Sequence, residues 1–434
     1  MLKDRLRIKI LLWLSVIMLV AYIDRVNFAM AAPIILKEFG MNTGQLGIIF
    51  SAFTLGYTIM NFPGGFLVER FSVRVMLTVI ILCWSFFVGL TAFAWSFASL
   101  LVIRIAFGAF EGPMIPALTK TVNVWVTPKE RGMASGMWLA ALPLGIVIGN
   151  PLSGFIIEKW GWQSVFVIFG AGGLVVAYVT WRLIRNHPEE HPHITKDELN
   201  LIKSSIHQHE GVDRLAAKGS TVSALLRNPW LWVISIIYFT MCLTFWANLN
   251  WLPTYFVKVR GSSLLKSGFL TMIPWFAGAV GAFVVPWVSD HIGKLRGVWL
   301  AVSFFIMAPA IAFAVYTPSL DACLISFIIA IFFNMALIPL MYVIPMEIFP
   351  PTDVAKASGI MLGWGSFAGI LSPTLVGYVV EYTGSFNSAY YLFAALSLLG
   401  GVLAFAVTAK ERARIKERAN MKNGVLNPAT AEAD

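Results

Sequence analysis

Residues 134–161 read ASGMWLAALPLGIVIGNPLSGFIIEKWG, and residues 357–384 read ASGIMLGWGSFAGILSPTLVGYVVEYTG. Both stretches begin with Ala-Ser-Gly and end with Glu-x-x-Gly, so that Glu158 and Glu381 occupy matching positions 223 residues apart. Each stretch is a long apolar run punctuated by small residues. Two copies of such a pattern predict a chain built from two related halves.

The composition is that of a protein that crosses a membrane many times. Of the 434 residues, 58% are hydrophobic and 12% are charged, whereas about a quarter of the residues in a soluble domain are charged. Because the apolar runs are continuous and do not alternate, we expect an all-α protein with two pseudo-symmetric six-helix bundles, and not barrel strands. Windows of about 20 apolar residues predict twelve transmembrane helices at residues 8–31, 43–68, 73–95, 97–124, 133–156, 162–184, 229–257, 267–289, 297–317, 319–344, 355–380 and 387–409.

The longest polar stretch separates the sixth span from the seventh and suggests the domain boundaries. We expect an N-terminal bundle at residues 1–184, a cytoplasmic linker at 185–228, a C-terminal bundle at 229–409 and a cytoplasmic tail at 410–434. Within the linker, Thr195-Lys-Asp-Glu198 has the spacing of a capping box and predicts a short surface helix.

The basic residues predict the topology. The net charge is +10, which in a soluble chain would suggest nucleic acid as a partner. Here 24 of the 32 Lys and Arg residues fall in segments that face one side of the predicted topology, and only five fall in the opposite loops. By the positive-inside rule this asymmetry places both termini in the cytoplasm, and it accounts for the charge without nucleic acid.

Metal, cofactor and enzyme chemistry have little support in the sequence. Cys83, Cys242 and Cys323 lie in separate apolar runs, and five of the six histidines lie between residues 187 and 209. The segment His187–His193 reads as a solvated linker in preference to a metal site, because no cysteine or intramembrane carboxylate accompanies it. The apolar runs contain no Ser/His pair and no HExxH motif. We therefore expect no metal, no cofactor and no enzymatic activity.

Two of the predicted spans each contain a pair of charged residues of opposite sign within the apolar run. Asp24 and Arg25 fall in the first span, and Arg104 and Glu111 fall in the fourth. A charged side chain in the bilayer costs at least roughly 2.5–3.5 kcal/mol on insertion scales, and such residues are usually functional. The pattern predicts the working site of a transporter. A static ion-pair network that joins the two helices is the alternative.

The charges also suggest a mechanism. With Asp24 and Glu111 ionised the site is neutral, and we expect each arginine to have a carboxylate partner. Protonation of both acids leaves Arg25 and Arg104 uncompensated, and guanidinium groups suit a carboxylate in bidentate geometry. Proton and anion binding would then favour each other. This predicts proton-coupled symport, while exchange of one anion for another is the alternative within transport.

One loop resembles the signature of the major facilitator superfamily. GFLVERFSVR, at residues 65–74, is similar to the superfamily motif G-x-L-a-D-R-x-G-R/K-R, with Glu69 and Ser72 as departures from it. SDHIGK, at residues 289–294, echoes the motif in the second half. The resemblance implies rocker-switch alternating access, with gating residues that are Glu69, Arg70, Arg74 and Asp290.

Three further motifs resemble one branch of that superfamily. YIDRVNFAMAAP at 22–33, NFPGGFLVERF at 61–71 and RIAFGAFEGPMIPA at 104–117 are similar to the anion:cation symporter family of sugar-acid and other carboxylate transporters. The resemblance implies uptake across a bacterial inner membrane. It also implies that Asp24 and Glu111 couple protons, that Arg25 and Arg104 face the anion, and that Tyr22 and Tyr57 line the pocket.

We expect the second half to complete the pocket. Its candidates are polar or aromatic residues in predicted spans, for which interhelical hydrogen bonding or a place at the lipid interface are equal alternatives. They are Asn248, Asn250, Asn334 and Trp364. Several amides favour a hydroxylated substrate such as an aldonate, uronate or aldarate; an aromatic or dicarboxylic acid is the alternative. We expect a monomer whose partners are the anion, protons and lipid.

Overall fold

The computed structural model describes residues 6–213, 220–292 and 295–422, and these ranges are helical almost throughout. Short 3₁₀ turns occur at Pro128–Glu130 and Pro188–Glu190. The α-helices are α1 (Leu6–Glu38), α2 (Thr43–Arg70), α3 (Val73–Thr91), α4 (Phe97–Glu111), α5 (Met114–Trp125), α6 (Arg131–Trp160), α7 (Trp162–Leu183), α8 (Lys196–Asp213), α9 (Val222–Arg227), α10 (Pro229–Lys258), α11 (Leu264–Ile292), α12 (Arg296–Tyr316), α13 (Leu320–Ile348), α14 (Val354–Thr383) and α15 (Phe386–Lys422).

The number of apolar spans agrees with the sequence. Within the three described ranges, eleven helical stretches are long and apolar enough to cross a membrane. The number is twelve when α2, which bends by 50° between Asn61 and Pro63, is counted as one span. The fourth span, Phe97–Trp125, agrees with the expected bounds, and its helix is divided into α4 and α5 at Gly112 and Pro113. Proline has no N–H to donate and its ring clashes with the preceding turn, which explains the break.

The last helix is longer than expected. α15 continues through the predicted tail as far as Lys422, whereas the apolar pattern predicted an end near residue 409. Residues 410–422 contain Lys, Arg and Glu at helical spacing, and straight-chain residues of this kind favour continuation of a helix. The remainder of the predicted tail, residues 423–434, lies outside the described residues.

The chain forms two compact units whose boundaries differ from the linker position. Unit 1 contains Met1–Ala216, Trp246–Phe276 and Gly369–Ala389. Unit 2 contains Ala217–Phe245, Ala277–Ala368 and Tyr390–Asp434. Unit 1 thus combines the helices of the first half with segments of α10, α11, α14 and α15. The sequence-based division into two bundles and a linker remains a prediction.

Within unit 1, α1 packs along α6, α3 along α7 and α2 along α4. The α2–α4 crossing is a contact of backbone on backbone. A Cβ atom at Gly56 would lie 2.0 Å from the carbonyl oxygen of Ile105, and a Cβ at Gly108 would lie 1.9 Å from that of Phe53. Only glycine permits this approach, which is the usual role of small residues between membrane helices.

The repeated glutamates cap helices at the distal end of unit 1, which is the end at which α1 finishes at Glu38. Glu381 accepts hydrogen bonds from Asn42 Nδ2 (2.8 Å) and from the backbone N–H of Gly44 (3.1 Å), at the first turn of α2. Glu158 accepts from the backbone N–H of Leu265 (3.2 Å), at the first turn of α11. Each carboxylate therefore meets the positive end of a helix dipole.

At the other end of unit 1, the linker helix α8 is tied to the start of α1. Glu198 accepts from the backbone N–H groups of Leu6 (3.1 Å) and Arg7 (3.2 Å), and Arg7 also pairs with Glu130. The predicted surface helix is present, with Thr195 Oγ1 accepting from the N–H of Glu198 (3.3 Å). The Glu198 carboxylate caps α1 and does not return to Thr195.

His191 lies in this linker against Trp125, with ring centroids 6.0 Å apart. Burial, together with the nearby positive charge of Arg185, lowers the pKa of His191 below its usual value. The ring is therefore uncharged at neutral pH and packs as an aromatic side chain.

Unit 2 is held by polar contacts between its own helices. Asn334 donates to the carbonyl oxygen of Met241 (3.2 Å), which joins α13 to α10. Glu411 accepts from the N–H of Gly297 (3.0 Å) and so caps α12 from α15. Arg296 pairs with Asp290 (2.9 Å) and with Glu347.

The α2–α4 contact predicts a strong effect of one methyl group. Gly108→Ala should destabilise the purified protein by about 1–3 kcal/mol or more, because the added Cβ overlaps the Phe53 carbonyl and the helices must separate. The measurement is the apparent Tm in detergent.

Gly172→Ala in α7 is the matched control, since a Cβ there has no heavy atom within 4 Å. Its Tm should be unchanged or slightly higher, because alanine is the better helix former. A wild-type Tm for Gly108→Ala would contradict the tight crossing.

Candidate functional site

The centre of the candidate site is a buried ion pair between α1 and α4. Arg25 Nε donates to Glu111 Oε1 at 2.8 Å, and an Arg25 terminal nitrogen lies 2.6 Å from the same oxygen. Glu111 has no exposed surface, and its second oxygen, Oε2, accepts no hydrogen bond within the described residues. The pair therefore neutralises Arg25 and leaves one carboxylate oxygen unused.

Aromatic rings surround the Arg25 guanidinium. Its Cζ lies 4.5 Å from the ring centroid of Tyr22, 5.0 Å from that of Tyr57 and 5.2 Å from that of Phe53. Cation–π contacts of this kind contribute about 2 kcal/mol or more when desolvated. The structure thus places both tyrosines predicted for the pocket beside a predicted anion-binding arginine.

Arg104 is held differently. Its Cζ lies 4.6, 5.0 and 5.4 Å from the ring centroids of Phe28, Phe53 and Phe107, and the residue is 3% exposed. Among the described residues no carboxylate lies within ion-pair distance of it, and its Nε has no hydrogen-bond partner there. The expectation that each arginine has a carboxylate partner is therefore wrong for Arg104, which is stabilised by aromatic faces.

Asp24 is buried and separate from both arginines. It is 1% exposed, and neither of its oxygens meets a hydrogen-bond partner in the described part of the chain. The same holds for both amide atoms of Asn27, one helical turn further along α1. Buried polar atoms in this state cost about 1–3 kcal/mol each. Such a cost is typical of groups that bind a proton or a ligand during function.

The local geometry follows from helix periodicity. Arg104 and Glu111 are seven residues apart in one unbroken helix, so they lie on one face, two turns apart. Asp24 and Arg25 are adjacent in α1 and point about 100° apart. Arg25 consequently reaches Glu111, while Asp24 faces elsewhere.

The second-half candidates are divided between the two units. Asn248 and Asn250 lie in the part of α10 that belongs to unit 1, where both are buried and Asn250 donates to its own helix at the carbonyl of Trp246 (2.8 Å). Asn334, with its bond to Met241, and Trp364 belong to unit 2.

Trp364 is half-buried within a cluster of aromatic rings that also contains Trp232, Phe239 and Phe367. The part that Asn248, Asn250, Asn334 and Trp364 play in substrate binding remains a prediction.

The predicted gating residues lie at helix ends. Arg74 packs over the Trp181 ring (3.8 Å to its centroid) and donates to the Trp181 carbonyl (2.9 Å), which joins α3 to α7. Arg70 lies near the Phe71 ring, Glu69 is exposed at the end of α2, and Asp290 pairs with Arg296. Gating by these residues remains a prediction.

Two residues that the sequence interpretation did not single out are prominent. Phe53 contacts both arginines, and nothing in the sequence distinguishes it from the other 32 phenylalanines. Lys120 donates to the carbonyl oxygens of Val68, Glu69 (3.3 Å) and Phe71 (3.2 Å), and so caps α2. Lys120 is a charged residue in a predicted span, and the rule that identified the other four charges would have found it.

Comparisons with known proteins agree with this fold and these spans. The family model described as Major Facilitator Superfamily matches residues 14–336 and 296–430. The "Hexuronate transporter" of Bacillus subtilis is 29% identical over 409 residues, which cover 92% of this chain and 94% of that protein.

Two other relatives are similar at the same level. The "Probable sulfoacetate transporter" of Cupriavidus necator is 32% identical over 88% of this chain and 89% of that protein. The "Probable galactarate/D-glucarate transporter" of Escherichia coli K12 is 30% identical over 91% and 93%.

A solved structure is similar in fold. The bacterial homologue of the human lysosomal transporter Spinster, in an inward-facing and unoccupied conformation, has a TM-score of 0.72 at 20% identity and covers 94% of this chain and 96% of its own. The described residues contain at least eleven apolar helical spans and a buried charged site, and the family model matches most of the sequence. The chain therefore belongs to the Major Facilitator Superfamily and is a multi-span membrane transporter.

Proposed function

We propose that the protein takes up an organic carboxylate anion, specifically a sugar acid, by proton-coupled symport across a bacterial inner membrane. It acts by rocker-switch alternating access, as a monomer with both termini in the cytoplasm. The observation that carries the proposal is Arg104, a fully buried cation without a carboxylate partner among the described residues.

Arg104 suits the substrate carboxylate. Its guanidinium is held by three aromatic rings, which leave its N–H groups without the competition of an internal carboxylate. A planar guanidinium accepts a carboxylate in bidentate geometry. In a dry site this attraction is much stronger than in water. The anion therefore supplies the negative charge that Arg104 lacks.

Glu111 and Asp24 suit the protons. Glu111 uses one oxygen for Arg25 and has Oε2 unpartnered, so a proton on Oε2 weakens the hold on Arg25 and frees that arginine for the substrate. Asp24 is buried and forms no ion pair among the described residues, and protonation removes its charge from a low-dielectric interior. Each proton makes the site more positive and so favours the anion.

The names of the relatives support a sugar acid. Hexuronate and galactarate or D-glucarate are hydroxylated carboxylates, for which Asn248 and Asn250 are hydrogen-bonding candidates. The sulfoacetate relative supports a second candidate, a small organic anion without a sugar backbone. Exchange of one anion for another is the mechanistic alternative.

The first experiment measures ligand binding at two pH values. D-glucuronate, galactarate, D-galactonate, sulfoacetate and benzoate are tested for thermal stabilisation of the purified protein at pH 5.5 and pH 8. A ligand at a hundredfold excess over Kd should add about 2.7 kcal/mol. Stronger stabilisation by a sugar acid at pH 5.5 supports the proposal; equal stabilisation at both pH values favours an exchanger.

Proton coupling is tested in proteoliposomes with Glu111→Gln. We expect this variant to lose accumulation driven by a pH gradient and to retain counterflow of the bound acid, because the glutamine cannot take up a proton. Glu189→Gln, at an exposed position in the linker, is the control and should accumulate like the wild type. Glu111→Gln with normal gradient-driven accumulation would remove Glu111 from the coupling mechanism.

The role of Arg104 is tested by Arg104→Lys. This variant keeps the charge and removes the planar fork, so we expect the Kd for the acid to rise about 10-fold to 100-fold, as for the loss of a charge-assisted hydrogen bond worth about 1.5–3 kcal/mol. Arg182→Lys, at an exposed position of α7, is the matched control. An unchanged Kd in Arg104→Lys would show that the anion binds elsewhere.

A further inference from the structure

Phe53 is the one described side chain whose ring contacts both buried arginines. Its centroid lies 5.2 Å from the Cζ of Arg25 and 5.0 Å from the Cζ of Arg104. Arg25 belongs to the proton-linked pair with Glu111, and Arg104 is the cation without a carboxylate partner among the described residues. Phe53 therefore contacts both the arginine of the proton-linked pair and the arginine proposed to bind the anion.

The ring has little freedom to move away. Phe53 is 3% exposed and packs on Phe107, with ring centroids 4.9 Å apart. Its backbone carbonyl is pressed against Gly108 at the α2–α4 crossing. A displacement of the ring consequently requires a shift of one arginine, of Phe107 or of α2 itself.

We infer that Phe53 is the positioning residue through which proton binding at the Arg25–Glu111 pair is coupled to anion binding at Arg104. The inference rests on the proposed function. Because one ring contacts two cations, it links their positions. When Glu111 takes up a proton and releases Arg25, the Phe53 ring moves with Arg25, and Arg104 shifts into the position in which it binds the anion. Phe28 contacts Arg104 and not Arg25, so it stabilises the cation without linking it to the proton.

The two phenylalanines allow a test that separates coupling from affinity. The Kd for D-glucuronate is measured at pH 5.5 and pH 8 in the wild type and in Phe53→Leu, Phe28→Leu and Phe256→Leu. The ratio of the Kd at pH 8 to the Kd at pH 5.5 measures the coupling between proton and anion binding. We expect a wild-type ratio of about 10, within the usual range of coupling factors. Phe256, which is fully buried in α10, is the control position.

Phe53→Leu should bring the ratio close to one. Phe28→Leu should raise Kd about 3-fold to 30-fold at both pH values and leave the ratio unchanged, and Phe256→Leu should keep both Kd values. Phe53→Tyr, which keeps the ring, should restore the ratio. A wild-type ratio above one that persists in Phe53→Leu overturns the inference alone. A wild-type ratio of one, or no binding of the acid, overturns the proposed function and the inference with it.

A second, independent observation concerns the repeated glutamates. Glu381 caps α2 and Glu158 caps α11, each across the two halves of the sequence, and both contacts lie at the distal end of unit 1. Beside them, a Cβ at Gly47 would lie 2.6 Å from the carbonyl of Pro373, and one at Gly268 would lie 2.8 Å from that of Asn150. Each copy of the repeat thus contributes one carboxylate cap and one close backbone contact.

The geometry points to Glu158 and Glu381 as a matched pair of helix-capping residues that stabilise the closed state of this end. By the positive-inside rule this end faces outwards. A carboxylate at a helix N-terminus is favourable only while that helix end stays next to it, so the energy of both caps is lost when the end opens. Neutralising the two residues should therefore favour the outward-open state.

The test uses accessibility from outside the cell. Ser51, whose hydroxyl lies 2.7 Å from that of Thr374 at this end, is changed by Ser51→Cys in a background in which Cys83, Cys242 and Cys323 are serine. Labelling by a membrane-impermeant maleimide should become about 5-fold faster with Glu381→Gln or Glu158→Gln, and about 25-fold faster with both. Glu189→Gln, at an exposed position in the linker, is the control and should leave the rate unchanged. An unchanged labelling rate in the double variant, with a normal elution profile in size-exclusion chromatography, contradicts the proposal that the two glutamates stabilise the closed state.

Discussion

A guanidinium group inside a membrane protein requires a negative charge or an aromatic face close to it, and helices α1, α2 and α4 satisfy this requirement in two ways. Arg25 has the carboxylate of Glu111, whereas Arg104 has three phenylalanine rings. The first solution is sensitive to protonation and the second is not. Under the proposed mechanism, this difference divides the site into a proton-linked part and an anion-binding part.

That division depends on how closely the helices approach. The contact of backbone on backbone at Gly56 and Gly108 brings α2 against α4, and it places Phe53 and Tyr57 among the side chains of α1 and α4. With larger residues at the crossing the rings would stand further from the guanidinium groups, and cation–π attraction falls off beyond about 6 Å. Small residues at the crossing are therefore as important for the electrostatics as the charged residues themselves.

The internal repeat has a second consequence. Glu158 and Glu381 are equivalent in sequence, and each caps a helix from the other half of the chain. Two copies of one sequence pattern generate equivalent contacts, which explains why this end of unit 1 carries two similar caps.

The sequence by itself determined the helical membrane fold, the approximate bounds of the spans, the family and the four intramembrane charges. These follow from local properties: apolar runs of bilayer length, the cost of charges in lipid, and motifs contiguous in the chain. Periodicity also placed Arg104 and Glu111 on one face of α4.

The tertiary structure decided which charges pair. Adjacent residues such as Asp24 and Arg25 have different surroundings because the helix turns by about 100° between them, and only the packing of α1 on its neighbours determines which one meets Glu111. The roles of Phe53 and of the two glutamate caps were equally invisible in the sequence, because each depends on residues that are distant in the chain and adjacent only after folding.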